Sequence, residues 1–375
     1  MLQKLIFLKP SYFLIKYFLV FLISFCVSLT IIIISYKFPD FLDKNLKGAQ
    51  KYHTHPVPRL GGIGIYLGVI FGTFYLKIFN LLNFSALPAF ISGVFSDINK
   101  ELPPKIRIFL ISLSAILGIF LTNLYVSNLD FITLPKIVGI TITFIGILGF
   151  TNAINIIDGF NGLASGFSLT ALTNFLLTAY TYKNFFLLDV ITSLIFVILG
   201  FFILNFPFGF IFLGDGGAYY LGYIFSFLCI LIKNLIPSVS AFYPFLVLLY
   251  PIYEVIFSIK RKLKRGTSPF KPDSYHFHML VYKAIKKFLR RKYTSNLNKK
   301  NILEFLKHYT EIQEKIKFLA NPLTTIFILF WISPFQGLAY IFKENSIALL
   351  ILSILFIIYY NLTYKLLVMY LKNKV

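Results

Sequence analysis

Eleven long apolar runs divide this 375-residue chain, and a chain so divided has few ways to fold. They fall at about 17–36, 60–79, 84–95, 105–125, 135–154, 160–181, 188–204, 218–232, 242–259, 322–341 and 346–370. A membrane-crossing helix needs roughly 20 consecutive apolar residues, so most of these runs are long enough to cross a bilayer and those at 84–95 and 218–232 are short. Apolar residues make up 58% of the chain, charged residues 13%, and mean hydropathy is +0.79, which leaves too little polar surface for a water-soluble domain of this size. The expectation is an all-α, polytopic integral membrane bundle of about eleven transmembrane helices, forming a single domain over 1–375. The one sizeable polar insertion, about 260–321, is expected to be cytoplasmic. Within it, Ile302, Phe305, Leu306, Tyr309 and Ile312 recur at three-to-four spacing, which predicts an amphipathic helix over 300–318.

Charge orients the bundle. If the N-terminus faces outward, the inner segments hold 27 of the 36 lysines and arginines and the outer segments hold 8, the imbalance expected of cytoplasmic loops. Lys4, Lys9 and Lys16 precede the first run, which imitates a signal peptide but is longer than the usual apolar core of about 7–15 residues and lacks a small-residue cleavage site. It reads as a retained first helix. Cys26 and Cys229 fall inside spans, where neither a disulfide framework nor a zinc site is expected. The net charge of +22 suits topology and lipid headgroups; no nucleic-acid-binding motif accompanies it.

Only 14 residues are acidic, and three of them lie at the ends of apolar runs with glycine within four residues: Asp97, Asp158 and Asp215. A carboxylate near hydrocarbon is costly unless paired, hydrated or metal-bound. Asp97 is followed by Pro103-Pro104-Lys105-Ile-Arg107, where the prolines stop one helix and two cations open the next. A salt bridge at a helix end would account for these residues as well as a phosphate or metal site would. Asp158 lies among Asn152, Asn155 and Asn161, beside Gly159 and Gly162. Amides suit a nucleobase or sugar, and a carboxylate among them suits a hard cation. Asp215 sits in Gly214-Asp215-Gly216-Gly217, whose exposed backbone amides could meet a phosphate and whose carboxylate favours magnesium. His276 and His278, with Arg265 nearby, are better suited to phosphate or sugar than to zinc. In the outward-N-terminus topology all of these, and the His53–Gly62 loop, share the inner side.

Taken in order, the loops resemble the polyprenyl-phosphate N-acetylhexosamine-1-phosphate transferases, a membrane family that includes the phospho-N-acetylmuramoyl-pentapeptide transferases. The resemblance runs from His53-x-x-Pro-Val-Pro-Arg59-x-Gly-Gly62 through Asn152-Ala-Ile-Asn155-Ile-Ile-Asp158-Gly-Phe-Asn161-Gly and Asn205…Phe212-Leu-Gly-Asp215-Gly-Gly to Ser268-Pro-Phe-x-Pro-Asp273-x-x-His276-x-His278. The last segment is similar to the histidine loop of the hexosamine branch. Four positions depart from the family pattern. Ser96-Asp97 stands where two adjacent acids are usual, Asn161 where several members have Asp, Phe208-Gly-Phe210 where Pro-Gly/Ala-Lys is usual, and Met279 where another histidine is common.

The resemblance implies transfer of N-acetylhexosamine-1-phosphate from a UDP-sugar to undecaprenyl phosphate at the cytoplasmic face of a bacterial inner membrane, releasing UMP. This would open a cell-surface glycan pathway such as O-antigen, teichoic acid, capsule or protein-linked glycan. It implies catalytic roles for Asp97 and Asp158, magnesium or manganese at Asp215 and Asp158, and nucleotide contacts from Asn152, Asn155 and Asn205. Lys105, Arg107, Arg265, His276 and His278 are implied to contact phosphate or sugar. Two rivals stay open: a secondary transporter, which would place acids at broken helices near the midplane, and an inactive homologue that has lost the first acid at Ser96.

Overall fold

A computed structural model describes residues 10–43, 56–99, 102–268, 274–294 and 302–372. It is an all-helical membrane bundle. The helices are α1 (Pro10–Lys37), α2 (Gly61–Thr73), α3 (Lys77–Asn99), α4 (Pro104–Thr122), α5 (Lys136–Ile157), α6 (Leu163–Thr181), α7 (Phe185–Asn205), α8 (Gly214–Leu235), α9 (Phe242–Val247), α10 (Leu249–Lys264), α11 (Phe277–Thr294), α12 (Ile302–Ile341) and α13 (Ser346–Lys372). Two-residue strands β1 (Leu42–Asp43) and β2 (Val57–Pro58) pair antiparallel ahead of α2. Among the described residues eight helices are long and apolar enough to cross a membrane: α1, α3, α4, α5, α7, α8, most of α12, and α13. The apolar α2, α6 and the broken α9–α10 pair coincide with the other three expected runs.

Three boundaries moved, each for a physical reason. The run expected at 60–79 is two elements, since the chain turns after Thr73 and Lys77 opens α3. The run at 84–95 extends to 77–99 because its polar residues face inward with partners. Tyr220 donates to Asn83 Oδ1 (2.7 Å), Tyr66 donates to the Asn83 carbonyl (3.1 Å), and Ser85 and Tyr223 share a hydrogen bond (2.7 Å). The amphipathic segment and the span after it are one helix. At roughly 1.5 Å per residue, the 40-residue α12 is about 60 Å long, twice the hydrocarbon thickness.

α8 runs through the middle of the bundle, buried on nearly every side by α2, α3, α5 and α6. Glycine permits this. A Cβ on Gly93 of α3 would collide with the backbone of Gly216, and one on Gly62 of α2 with the backbone of Gly217. Three helices therefore meet backbone to backbone at the first turn of α8. Gly214, at φ +76°, makes the entry turn that L side chains rarely adopt.

Polar side chains gather at the two ends of the bundle. At one end Lys16, Tyr17 and Tyr75 bind Asp189, and Lys233, Ser240 and Ser346 bind Asp130. At the other lie Arg59, Asp97, Arg107, Asp158 and Asp215.

Candidate active site

The acids that the sequence scatters from Asp97 to Asp215 meet around one arginine. Arg59, delivered by the turn between β2 and α2, places Nε 3.4 Å from Asp97 Oδ1, Nη2 3.3 Å from Asp215 Oδ1 and Nη1 3.8 Å from Asp43 Oδ2. Burial alone would lower the Arg59 pKa, but the charges of Asp97, Asp215, Asp158 and Asp43 hold it above its usual value. Arg107, from the first turn of α4, donates Nη1 to Asp215 Oδ2 (3.0 Å) and to Tyr219 (3.4 Å). Ser96 donates its hydroxyl to the same Asp215 oxygen (3.1 Å).

Asp97 is bound on both oxygens by protein donors. The backbone N–H groups of Asp215 and Gly216 donate to Oδ1 and Oδ2, each at 3.1 Å, and its side chain is 2% exposed. A carboxylate from α3 therefore caps the exposed N–H groups at the start of α8, where the positive end of the helix dipole favours it. Asp215 then projects from that first turn into the arginine pair.

Asp158 ends α5 on a non-helical backbone. Burial raises its pKa to about 7; Arg59 works against the shift and Asp215 adds to it. The paired asparagines split by role. Asn155 donates to Tyr219 (3.3 Å) beside Arg107, and Asn152 donates to the Leu148 carbonyl one turn back in α5 (2.8 Å). Asn205 is buried and committed to the protein: its Nδ2 donates to the Ile211 carbonyl (2.7 Å) and its Oδ1 accepts from the Gly162 N–H (2.6 Å). Asn161 does similar work, joining the Pro207 carbonyl to Asn321 and Thr325 of α12. These two residues hold the α5–α6 junction against the α7–α8 loop.

The histidine segment abuts the same junction. His278 is fully buried; its Nδ1 lies 3.4 Å from the Tyr250 hydroxyl, and its Nε2 lies 3.5 Å from where a side chain on Gly159 would begin. Burial lowers its pKa to about 3, which leaves the ring neutral. His276 lies 5.5 Å from it in parallel stacking, with Nδ1 2.9 Å from Glu254. Lys105 and Arg265 stay exposed at the edge, Arg265 over the Tyr275 ring at 4.5 Å. His53, His55, Glu101 and Asp273 lie outside the described residues.

The structure thus brings Asp97, Arg107, Asp158, Asp215 and Asn155 together and sets the histidines against their flank. Arg59, Ser96, Tyr219 and Glu254 join them without having been expected as site residues. Two carried a signal. Arg59 is the cation beside a double glycine that abuts Gly217, and Glu254 is a lone acid within the apolar run Tyr250-Pro-Ile-Tyr-Glu-Val-Ile-Phe. Among the described residues no three His, Cys, Asp or Glu side chains form a metal cluster by themselves. The donor set does fit a hard divalent ion, because carboxylate oxygens predominate and magnesium commonly takes only one or two protein carboxylates alongside substrate phosphates.

A helical bundle of this length and apolarity, with carboxylates and arginines joined at one end, defines a multi-pass integral membrane protein with a charged cluster. Residues 78–233, which run from α3 almost to the end of α8, match the model for glycosyl transferase family 4, and the chain belongs to that family. It is 33% identical over 245 residues to a probable undecaprenyl-phosphate N-acetylglucosaminyl 1-phosphate transferase of Bacillus subtilis. That alignment covers 61% of this chain and 66% of the relative, just under two thirds of its length. It is 30% identical over 254 residues to the undecaprenyl-phosphate α-N-acetylglucosaminyl 1-phosphate transferase of Thermotoga maritima, covering 66% and 75%. A phospho-N-acetylmuramoyl-pentapeptide-transferase of Streptococcus sanguinis shares 34% over 160 residues, covering 41% and 48%.

Proposed function

We propose that the protein transfers N-acetylhexosamine-1-phosphate from a UDP-sugar to undecaprenyl phosphate, releasing UMP and forming the polyprenyl-diphospho-sugar that starts a cell-surface glycan. The observation that carries this reading is the meeting of Arg59, Asp97, Arg107, Asp158 and Asp215, from five separate stretches of chain, at one end of the bundle. Phosphoryl transfer asks mainly for positioning and charge neutralisation, and such a site supplies both. The relatives' names point to the same lipid acceptor.

Four carboxylates, Asp43, Asp97, Asp158 and Asp215, surround two guanidiniums, so acids outnumber cations in a place where a divalent ion would be favoured. Asp215 and Asp158 are the residues we assign to hold magnesium or manganese, which when bound would neutralise the diphosphate. Asp97 positions Asp215 through the first turn of α8. Arg59 and Arg107 steer phosphate oxygens, with Lys105 at the open edge to meet the lipid phosphate. Asn155, with Asn152 a turn away, faces the nucleotide, and Asn205 supports that surface from behind. Arg265, His276 and His278 line the sugar-phosphate side. The excess of Lys and Arg on this side favours the cytoplasmic face of a bacterial inner membrane.

The deciding experiment incubates purified protein with undecaprenyl phosphate, magnesium and a panel of UDP-sugars and follows radiolabelled UMP back into the nucleotide sugar. Exchange with an N-acetylhexosamine donor is expected. Absence of exchange with every donor, by protein that binds the lipid, rejects the reading and favours the inactive homologue.

A further inference from the structure

Glu254 lies beyond the residues that match the family model, in α10, and is completely buried. Its partners among the described residues are Nδ1 of the His276 ring (2.9 Å), the Phe277 backbone N–H, which donates to both oxygens (3.2 and 3.3 Å), and the Tyr360 hydroxyl, which donates to Oε2 (2.6 Å). An ionised carboxylate only accepts, so this arrangement puts a proton on Nδ1 of His276 and fixes the ring about that bond. Tyr360 comes from α13. One turn later on the same face Tyr364 donates to the Tyr275 carbonyl (3.0 Å), and between them Asn361 donates to Tyr253 of α10 (2.7 Å). The final helix therefore grips the histidine segment at two adjacent turns. His276 in turn stacks on His278, whose Nε2 faces the Asp158–Gly159 turn.

We propose that Tyr360 is a positioning residue for the candidate active site: acting through Glu254, it fixes the orientation and proton of His276, so that the C-terminal helix is part of the machinery that binds the donor. This rests on reading the histidine flank as the place where sugar phosphate sits. Without Tyr360, the Glu254 carboxylate would be held only by the His276 imidazole and the Phe277 amide, and Oε2 would keep only the longer 3.3 Å contact with that amide. The Tyr360 hydroxyl holds that oxygen with a hydrogen bond to a charged group, among the stronger kinds.

The test uses full-length protein in nanodiscs and the variants Tyr360→Phe, Glu254→Gln, Glu254→Leu and Ser346→Ala, the last at the opposite end of α13. Two readouts are taken: hydrogen–deuterium exchange of the Phe277–Leu280 amides, and KM and kcat for UMP exchange with UDP-N-acetylglucosamine. Tyr360→Phe should raise KM about tenfold and speed exchange at Phe277 by a similar factor, with little change in kcat or thermal midpoint. Glu254→Gln keeps an acceptor for Nδ1–H and for the Phe277 amide, so it should stay within about threefold of the parent, whereas Glu254→Leu should lose about a hundredfold or more. Ser346→Ala should leave both readouts unchanged. Parental KM and parental Phe277 exchange in Tyr360→Phe overturn the proposal. So does a Glu254→Gln variant as impaired as Glu254→Leu. If the parent protein itself shows no UMP exchange, the proposed reaction falls, and amide exchange alone then decides whether Tyr360 and Glu254 hold the histidine segment.

Discussion

Asp130 and Asp158 are both acids at the bundle's ends, and they are held in opposite ways. Asp130, between α4 and α5, receives the Lys233 ammonium (2.7 Å), the Ser240 and Ser346 hydroxyls (2.6 and 2.7 Å) and the Ala241 N–H (3.0 Å). Burial opposes its ionisation, yet these donors bring its pKa below the usual value. Asp158 sits where burial wins, with its pKa raised to about 7 despite Arg59. One carboxylate has its donors supplied by the protein and ties four segments together. The other has its pKa raised by burial and by Asp215 more than Arg59 and the Gly214 N–H lower it, which is the condition of a group whose ionisation a bound cation would favour.

The sharpest way to break this contrast is to neutralise one acid at each end. Asp215→Asn should reduce magnesium-dependent UMP exchange by on the order of 10³-fold while thermal unfolding barely moves. Unchanged turnover would reject the assignment of Asp215 to a metal. Asp130→Ala should do the reverse. It takes the one carboxylate beside Lys233 among the described residues, whose ammonium keeps just the neutral Pro237 and Val239 carbonyls, and should cost about 3 kcal/mol of stability, read from unfolding in detergent, while the turnover of the folded fraction stays near parental.

pH should separate the two acids by sign. Asp158 binds its proton more tightly folded than unfolded, so in chelator its contribution lowers stability as pH rises from about 4 through 7 and is constant above. The difference between parent and Asp158→Asn should widen over that interval. Asp130 has a depressed folded pKa, so its contribution is present above the usual carboxylate range of roughly 4 and is lost as pH falls through the folded value. Matching pH curves for the two variants would erase the distinction. The smallest effect is expected of Ser96→Ala, which removes one hydroxyl from Asp215 and should change exchange by about fivefold.

The membrane architecture was legible because apolar length is a property of contiguous residues. The acids Asp97, Asp158 and Asp215 were legible because each is rare in its surroundings and lies next to glycine or within two residues of a helix end. What could not be read was which polar atoms are consumed. Asn161 and Asn205 have the composition of ligand contacts, but their amides are satisfied across junctions distant in sequence. In sequence Arg59 is only one residue of the His53–Gly62 loop, because its importance comes from Asp97 and Asp215, which lie far along the chain, the second of them 156 positions away. Glu254 was passed over because its partners, His276 and Tyr360, lie on two other segments.

The cap that Asp97 places on the start of α8 bears on how any mutational survey of this protein is interpreted. Replacing Asp97 would loosen the turn that aims Asp215, and turnover would collapse even if no atom of Asp97 ever met a substrate. An indispensable residue here can be a bracket, and only a probe of the helix start, independent of turnover, tells a bracket from a reagent.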